Sequence, residues 1–416
     1  MARNDVRIEH FRVRGYRSCL TTSLKPTPAL TVLIGRNGSG KTNVLQALVL
    51  LGSVGVPRHR RPRTESRPSR CFLQAAFNVR GKVIPYRAWV SYVTNERNED
   101  EVVHAREQWN FREVNNTDQW QEIPSGFLHE PLFIHRRFIA PHATGRLGRN
   151  FQLALDKPYS VLPKKVIDTM QAIGRFISQI TYYSASQFTN PSRCPSSFEI
   201  DEDGDLRAPQ RITEHLRFMF DLYKASTSEP LLYEQYMSIV GRNGLSLIDW
   251  LTWRKARVAS SVVEVTSGGK LIRERRERVL IIPNVHIGRS HLSMNQLSEG
   301  TFKTLALLFY LVHDRSGLLL VEEPEVCVHH GLLRSVMEII TRFSRDRQII
   351  CSTHSDFVLD LLRPEQVMIV RNEGIRGTQV KSVSQRMSVK ELAALRDYLS
   401  TEGNLGEFWR HGGLER

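Results

Sequence analysis

Cysteine is scarce in this chain: five residues in 416, at Cys19, Cys71, Cys194, Cys327 and Cys351. Their odd number, wide scatter and lack of a C-x-x-C pair argue against a disulfide framework and a zinc site, and for a reducing compartment. Long apolar runs are missing too. The longest, around Leu305–Val312 and Leu318–Val321, fall far short of the roughly 18 residues that read as a membrane helix. The opening MARNDVRIEHFRVRGYRS lacks the apolar core of a signal peptide. Neither an internal repeat nor sustained heptads occur, which excludes a long coiled-coil arm. These absences predict a soluble cytoplasmic protein with no membrane association.

What is present is a chain able to bury a core, with 41% hydrophobic and 8% aromatic residues, so wholesale disorder is excluded. The length suits two or three domains, or one domain with a large insertion. Lys and Arg number 58 against 43 Asp and Glu, a formal charge of +15. That surplus fits a polyanionic partner, nucleic acid or an acidic protein, and equally a basic surface kept for solubility.

Residues 5–34 read as two or three strands, ending in the buried run Leu30-Thr-Val-Leu-Ile34, and Val44–Leu51 as a helix buried on most faces. Pro57–Arg70, with six arginines and three prolines, reads as a loop. Strand-like alternation over Cys71–Tyr92 predicts an antiparallel sheet. Residues 145–180 and 210–255 look helical, with Val166, Ile167, Met170, Ile173, Phe176 and Ile177 at spacings of three and four. An acidic loop, Glu199–Asp205, lies between them, and a second strand-rich region opens near Val279.

The most specific motif is Gly35-Arg-Asn-Gly-Ser-Gly-Lys-Thr42, a full match to the phosphate-binding pattern G-x-x-x-x-G-K-[ST]. Glycines let successive backbone N–H groups turn inward around phosphate oxygens, and the following helix presents its positive N-terminus. Lys41 would reach the β- and γ-phosphates, and the Thr42 hydroxyl would ligate magnesium. The match follows an apolar strand and opens a helix, as the chemistry requires. Downstream, Gly317-Leu-Leu-Leu-Val-Glu-Glu-Pro-Glu325 is an apolar strand ending in carboxylates. Beside a phosphate loop in a parallel sheet, Glu322 would fall near the metal and Glu323 near the γ-phosphate, where it could activate water. Alone, such acids would be a solvated loop start. Gln348–Ser355 gives another buried strand, ending in His354, placed to touch the γ-phosphate if the strand order holds. Asn295–Lys303 precedes an apolar helix, and Ser298 and Gly300 could form a phosphate-facing helix start, or a plain capping box that needs no nucleotide.

These four elements, in this order, resemble the ABC-type ATPases, in the branch with SMC proteins, RecF and the OLD-family nucleases. In that family's terms Gly35–Thr42 is Walker A, Leu297–Gly300 the signature, Leu318–Glu323 Walker B with its catalytic glutamate, and His354 the switch histidine. Ile8–Ser18, Asn43 and Glu-Glu-Pro-Glu325 look like the stand-alone AAA-type ATPases of bacteria, and Gly403–Trp409 is similar to their C-terminal endings. Tyr182–Phe188 looks like the Q-loop region, which makes Gln187 a magnesium and water contact. Two departures stand out. Glu322 replaces the usual aspartate, and His330 stands where relatives commonly carry proline.

The resemblance implies an α/β fold: an ABC-type ATPase head with a mixed-sheet core, an antiparallel β subdomain and a large helical insertion. Residues 1–50 and 280–416 would form the core. Residues 51–279 would be the insertion, antiparallel over about 71–140 and helical over about 145–255. The implied cofactors are ATP and Mg2+, with catalysis by Glu323 and His354. Nucleotide would be held by Gly35, Arg36, Asn37, Gly38, Ser39, Gly40, Lys41, Thr42, Asn43 and Gln187, with Ser298, Glu299 and Gly300, and metal by Thr42, Gln187 and Glu322. The signature of one copy would complete the site of another, so the chain would act as a homodimer or higher oligomer. The implied function is an ATPase whose nucleotide-driven dimerisation regulates a separate effector, a nuclease or Toprim-type protein, in bacterial phage defence. ATPase work on DNA ends in repair or recombination is the alternative.

Two other classes fit less well. An OLD-type nuclease needs a further acidic domain, but 62 residues follow His354 and Val367–Glu373 lacks the acidic pair. A transport ATPase has a compact subdomain where this chain has 254 residues, 43 to 296. Direct DNA binding would fall to Arg58–Arg70, His135–Arg137 with Arg146 and Arg149, and Arg273–Arg278, if the fold gathered these basic segments.

Overall fold

The computed structural model describes residues 6–54, 67–95, 100–112, 120–123, 163–201, 204, 206, 213–265, 271–326, 328–401 and 403–413, with backbone alone at 120–123, 258–265 and 271–277. In chain order the strands are β1 (Val6–Tyr16), β2 (Cys19–Leu24), β3 (Leu30–Ile34), β4 (Ser69–Val79), β5 (Lys82–Thr94), β6 (Asp100–Asn110), β7 (Trp120–Ile123) and β8 (Thr181–Ser184). They continue as β9 (Phe198–Ile200), β10 (Trp250–Val265), β11 (Leu271–Ile287), β12 (Ser290–Leu292), β13 (Leu318–Glu322), β14 (Gln348–Thr353), β15 (Val367–Asn372) and β16 (Thr378–Ser382). The chain divides into two units. The first comprises Met1–Ser184, Asp314–Glu325 and Val336–Arg416, the second Ala185–His313 and Val326–Ser335.

The first unit holds a mixed sheet in the order β16-β15-β3-β14-β13-β8. Every pairing in it is parallel except β15 with β16. All residues of β3 and β14 are buried, because a parallel strand is covered on both faces and so reads as a continuous apolar run. The second sheet, β2-β1-β4-β5-β6-β7, is wholly antiparallel. Its strands alternate instead: Leu73, Ala75 and Phe77 of β4 are buried while Phe72, Gln74 and Ala76 between them are partly exposed. The turn from β4 to β5 takes positive φ at Arg80 and Gly81, the backbone that matches the twist of a tight hairpin. One hydrophobic cluster joins both sheets: Phe11, Leu73 and Trp109 from the antiparallel sheet share it with Leu33, Leu320 and Ile350 from the mixed one. The helix Lys164–Ser178 adds Val166, Met170, Ile173, Phe176 and Ile177 to it, with Ile167 only partly buried. The fold is therefore α/β with a mixed sheet and antiparallel sheets.

In the second unit β10 and β11 form a long antiparallel hairpin, with β12 and β9 paired to β11. The helices Glu214–Ser228, Pro230–Val240 and Glu299–His313 pack through rings, among them Phe218 against Phe302 at 5.5 Å and Tyr236 against Phe309 at 5.5 Å. The helical reading of 210–255 is corrected here. Helix ends at Val240 and β10 begins at Trp250. Arg254, Lys255 and Arg257 interrupt the apolar alternation that would have marked the strand, and its pairing partner lies beyond residue 270. The strand-rich region, expected to open near Val279, therefore opens at Trp250. Glu199, read as loop, sits within β9, and Arg278 approaches it at 3.4 Å. Of the basic segments, Arg58–Arg63, His135–Arg137, Arg146 and Arg149 lie outside the described residues. No helix among the described residues is long and apolar enough to cross a membrane.

Candidate nucleotide site

The loop between β3 and the helix Lys41–Ser53 is shaped by two kinds of glycine demand. Gly38 and Gly40 take left-handed backbone, φ +78° and +100°, which glycine adopts without steric cost. Gly35 is needed for space: a Cβ there would stand 2.3 Å from the Val370 carbonyl oxygen of β15. Gly40 meets both demands, since its Cβ would also lie 2.1 Å from Thr378 Oγ1. Arg36, Asn37 and Gly38 are exposed at the crest of the loop. Lys41 is buried and folds back over it, Nζ donating to Gly35 O at 2.7 Å and Arg36 O at 3.3 Å. Burial lowers its pKa, while Glu323, Glu325 and Glu322 act in the opposite direction. Ser39 Oγ is buried with no hydrogen-bond partner. A loop with an orphaned hydroxyl, a lysine spanning its own carbonyls and no room for side chains fits a phosphate group.

The carboxylates come from the end of β13, which pairs with β14 and β8. Thr42 Oγ1 donates to Glu322 Oε1, and Tyr182 of β8 donates its hydroxyl to Glu322 Oε2. A hydroxyl and a carboxylate held together are hard oxygen donors of the kind Mg2+ takes, and this ion needs only one or two carboxylates when phosphates supply the rest. Accordingly the site fits magnesium although no cluster of three or more His, Cys, Asp or Glu occurs among the described residues. Glu323 takes left-handed backbone at φ +46° and donates its N–H to Ser352 O at 3.0 Å. That conformation is unfavourable outside glycine and persists where surroundings enforce it, often at functional sites.

His354, just past β14, is exposed, with Nδ1 3.4 Å from both Glu323 Oε1 and Glu325 Oε1. Glu325 is the buried member. Its Oε1 accepts from Thr353 Oγ1 at 2.6 Å and from the His354 N–H at 3.0 Å, and Oε2 has no partner. Burial pushes its pKa up, against the hydrogen bonds it accepts. The half-buried Glu323 therefore lies nearer to solvent beside Lys41, while Glu325 holds the strand end that carries His354.

The second unit holds the remaining sequence-derived positions. Ser298 is exposed and caps its helix, its Oγ accepting from Thr301 N at 3.1 Å. Glu299 pairs with Lys303 at 2.8 Å, and the Gly300 carbonyl accepts from Thr304 Oγ1 at 2.7 Å. Gln187 lies in the short turn Ala185–Phe188, its Oε1 buried without a partner. His330 opens the helix His330–Phe343. This is the first helical position, where proline is also favoured, so the departure from relatives keeps the helix start.

Three positions in the first unit escaped the motif reading. Thr378, the first residue of β16, bonds Ser18 Oγ at 2.7 Å and donates to Ser39 O at 3.3 Å. Asn43 completes the chain by donating to Ser18 Oγ at 2.6 Å. Tyr182 and Glu325 act through Glu322 and His354. Glu325 left a trace in sequence as the last acid of Glu-Glu-Pro-Glu, and Tyr182 as the first residue of the Q-loop-like segment, neither with this contact in view.

Comparison with known proteins places these features in a family. A family model described as "AAA domain, putative AbiEii toxin, Type IV TA system" matches residues 30–112 and 171–360. No curated protein matches the chain. Among solved structures it is similar to an SMC head bound to the C-terminal winged-helix domain of ScpA, with 15% identity over 93% of this chain and 99% of that one, TM-score 0.42. It is similar to the SMC head domain of Thermotoga maritima, with 12% identity over 90% and 98%, TM-score 0.42. An Smc head with an extended coiled coil, bound to the C-terminal domain of ScpA from Pyrococcus furiosus, gives 13% identity over 95% and 100%, TM-score 0.43. The family match spans well over half of the chain and contains the phosphate loop, the carboxylate strand and His354; the chain belongs to this AAA-domain family.

Proposed function

We propose that the protein binds ATP with Mg2+ and hydrolyses it, and that the nucleotide brings two copies together to regulate a separate effector, a nuclease of bacterial phage defence. The observation that carries the chemical part is the meeting of Lys41, Thr42, Glu322, Glu323 and His354 at the ends of adjacent parallel strands. The N–H groups of the Gly35–Thr42 loop bind phosphate oxygens, and Lys41 exchanges its two loop carbonyls for them. Thr42 and Glu322 would hold the metal. Bound magnesium would supply neutralising charge at the phosphates. Glu323 orients the attacking water and takes its proton. His354, fixed by Glu325, donates to the γ-phosphate as charge builds there.

Ser298 and Gly300 are proposed to act in trans, on the nucleotide of a second copy. Ser298 stands exposed at the positive start of a 15-residue helix, which favours a bound anion. A mixing experiment tests the arrangement. Gly300→Asp puts bulk and negative charge beside the phosphate, and Lys41→Ala removes the cradle's cation, so each variant alone is expected to be inactive. Mixed, each heterodimer keeps one intact composite site and hydrolysis partly returns. If heterodimers form and the mixture stays inactive, or if Gly300→Asp dimerises on ATP like the parent, the trans role fails.

A further inference from the structure

Away from the nucleotide site, the antiparallel sheet turns one face outward, and strand register sets what that face carries. One row across five strands reads Thr21, Arg14, Phe72, Trp89, Arg106. The next row adds Arg12 and Arg87, with Ser23, Gln74 and Gln108 between and beside them. No carboxylate stands in the first row, and the second meets one, Glu122 opposite Gln108, at the β7 edge of the sheet. Trp89 is 40% exposed, and its ring lies 5.1 Å from that of Phe72. The guanidinium groups of Arg87 and Arg106 stand over it at 5.4 and 5.6 Å.

A solvated sheet face keeps polar residues of both signs. Here an aromatic pair is ringed by one sign of charge. With strands about 4.8 Å apart, the row is about 19 Å wide, and neighbouring rows lie about 7 Å from each other along the strands. Exposed rings and planar guanidinium groups are stacking surfaces for unpaired bases, and arginines attract the connecting phosphates. A duplex keeps its base faces stacked inside and would leave Trp89 unused, while reading a groove needs a projecting helix or ribbon. An acidic peptide would satisfy the arginines but not the rings.

We propose that this sheet face binds single-stranded nucleic acid, stacking bases on Trp89 and Phe72 and drawing phosphates to Arg12, Arg14, Arg87 and Arg106. The site is independent of ATP hydrolysis, so either reading can fail alone.

Fluorescence anisotropy on the full chain tests it, using a labelled oligothymidine of about 20 nucleotides, long enough for a stacking site. A duplex of equal length and polyglutamate serve as comparison ligands. The single strand is expected to bind at least about tenfold more tightly than either. Trp89→Ala should weaken it about tenfold or more, the share of one stacked base, and Trp89→Phe should stay within about threefold of the parent. The double variant Arg14→Ala, Arg106→Ala should lower the slope of log affinity against log salt by about 1.4, at about 0.7 per phosphate contact. ATP turnover should be unchanged in all three. Equal binding of duplex or polyglutamate, an unaffected Trp89→Ala, or no binding at low salt would overturn the proposal. Should Trp89→Ala not fold, the arginine pair decides, because it leaves the ring in place: an unchanged slope rejects the site.

Discussion

The sheet that carries Gly35, Glu322 and His354 and the sheet that carries Trp89 have six strands each and share one hydrophobic cluster, yet they expose chemistry in opposite ways. Parallel strands are buried along their length, so polar groups collect where strands stop. There Thr42 reaches Glu322, and His354 reaches Glu323 and Glu325. The antiparallel sheet has a solvent-facing side, and its distinctive residues lie across that face, in rows fixed by register. A strand-end site depends on a few side chains whose loss is felt at once. A face spreads its work over many residues, and single changes there have graded effects.

The sharpest break of this contrast is Lys41→Ala. It removes the fixed cation of the cradle, and ATP binding should fall by about a hundredfold or more, with turnover at background. Calorimetry checks this, and normal affinity would mean the loop is not the phosphate site. Next, Glu323→Gln should leave ATP affinity intact and slow hydrolysis by about two orders of magnitude or more, the share of a positioned base. Single-turnover kinetics would show it. Turnover like the parent's, with the loss appearing in Glu325→Gln instead, would exchange the roles of the two acids.

A smaller effect separates holding from chemistry. Glu325 works through the acceptor Oε1, which glutamine retains, so Glu325→Gln should keep turnover within about threefold. Glu325→Ala should lose about tenfold, and in a His354→Ala background it should add nothing, as expected of residues acting as a unit. Independent, multiplicative losses would remove Glu325 from the role of positioning His354.

An effect of another kind lies on the inner side of the antiparallel sheet and changes stability alone. Burial pushes the Glu107 carboxyl up to about 7, against the hydrogen bond from Tyr86. The folded form therefore holds a proton that the unfolded chain releases near its ordinary value of 4.5. Stability is full below that value and declines as pH rises toward 7, by about 3 kcal/mol in all. Glu107→Gln should erase this decline, raising Tm at pH 8 relative to the parent far more than at pH 5. Parallel melting curves across that range would contradict it.

Much of the mixed sheet was legible because burial on both faces leaves an unbroken apolar run, as in Leu30–Ile34 and Leu318–Val321. Its two edges were harder. Thr181–Ser184 is only four residues with two tyrosines, and β16 is an alternating Thr-Gln-Val-Lys-Ser that could belong to either kind of sheet. The hairpin β10–β11 was missed at its start because charge masked its period. At the site, motif spacing pointed to Gly35–Thr42, Glu322, Glu323 and His354. Thr378 could not be found that way, since its partners Ser18 and Ser39 lie more than 300 residues earlier and a lone threonine carries no periodic or compositional signal. The exposed aromatic face was invisible for a related reason. Arg14, Phe72, Trp89 and Arg106 come from four strands, and register alone brings them into line.

Thr378 also sets an order of events in synthesis. The phosphate loop is translated long before β16, but Gly40 is seated against Thr378, and the Ser18–Asn43 pair waits for the same hydroxyl. At about 5–20 residues per second, the ribosome needs roughly 17–70 s to travel from one to the other. During that interval the loop exists without its brace. A nascent chain halted before β16 would therefore carry the complete motif in sequence and an unfinished cradle in space, because the loop gains its brace only once Thr378 has been made.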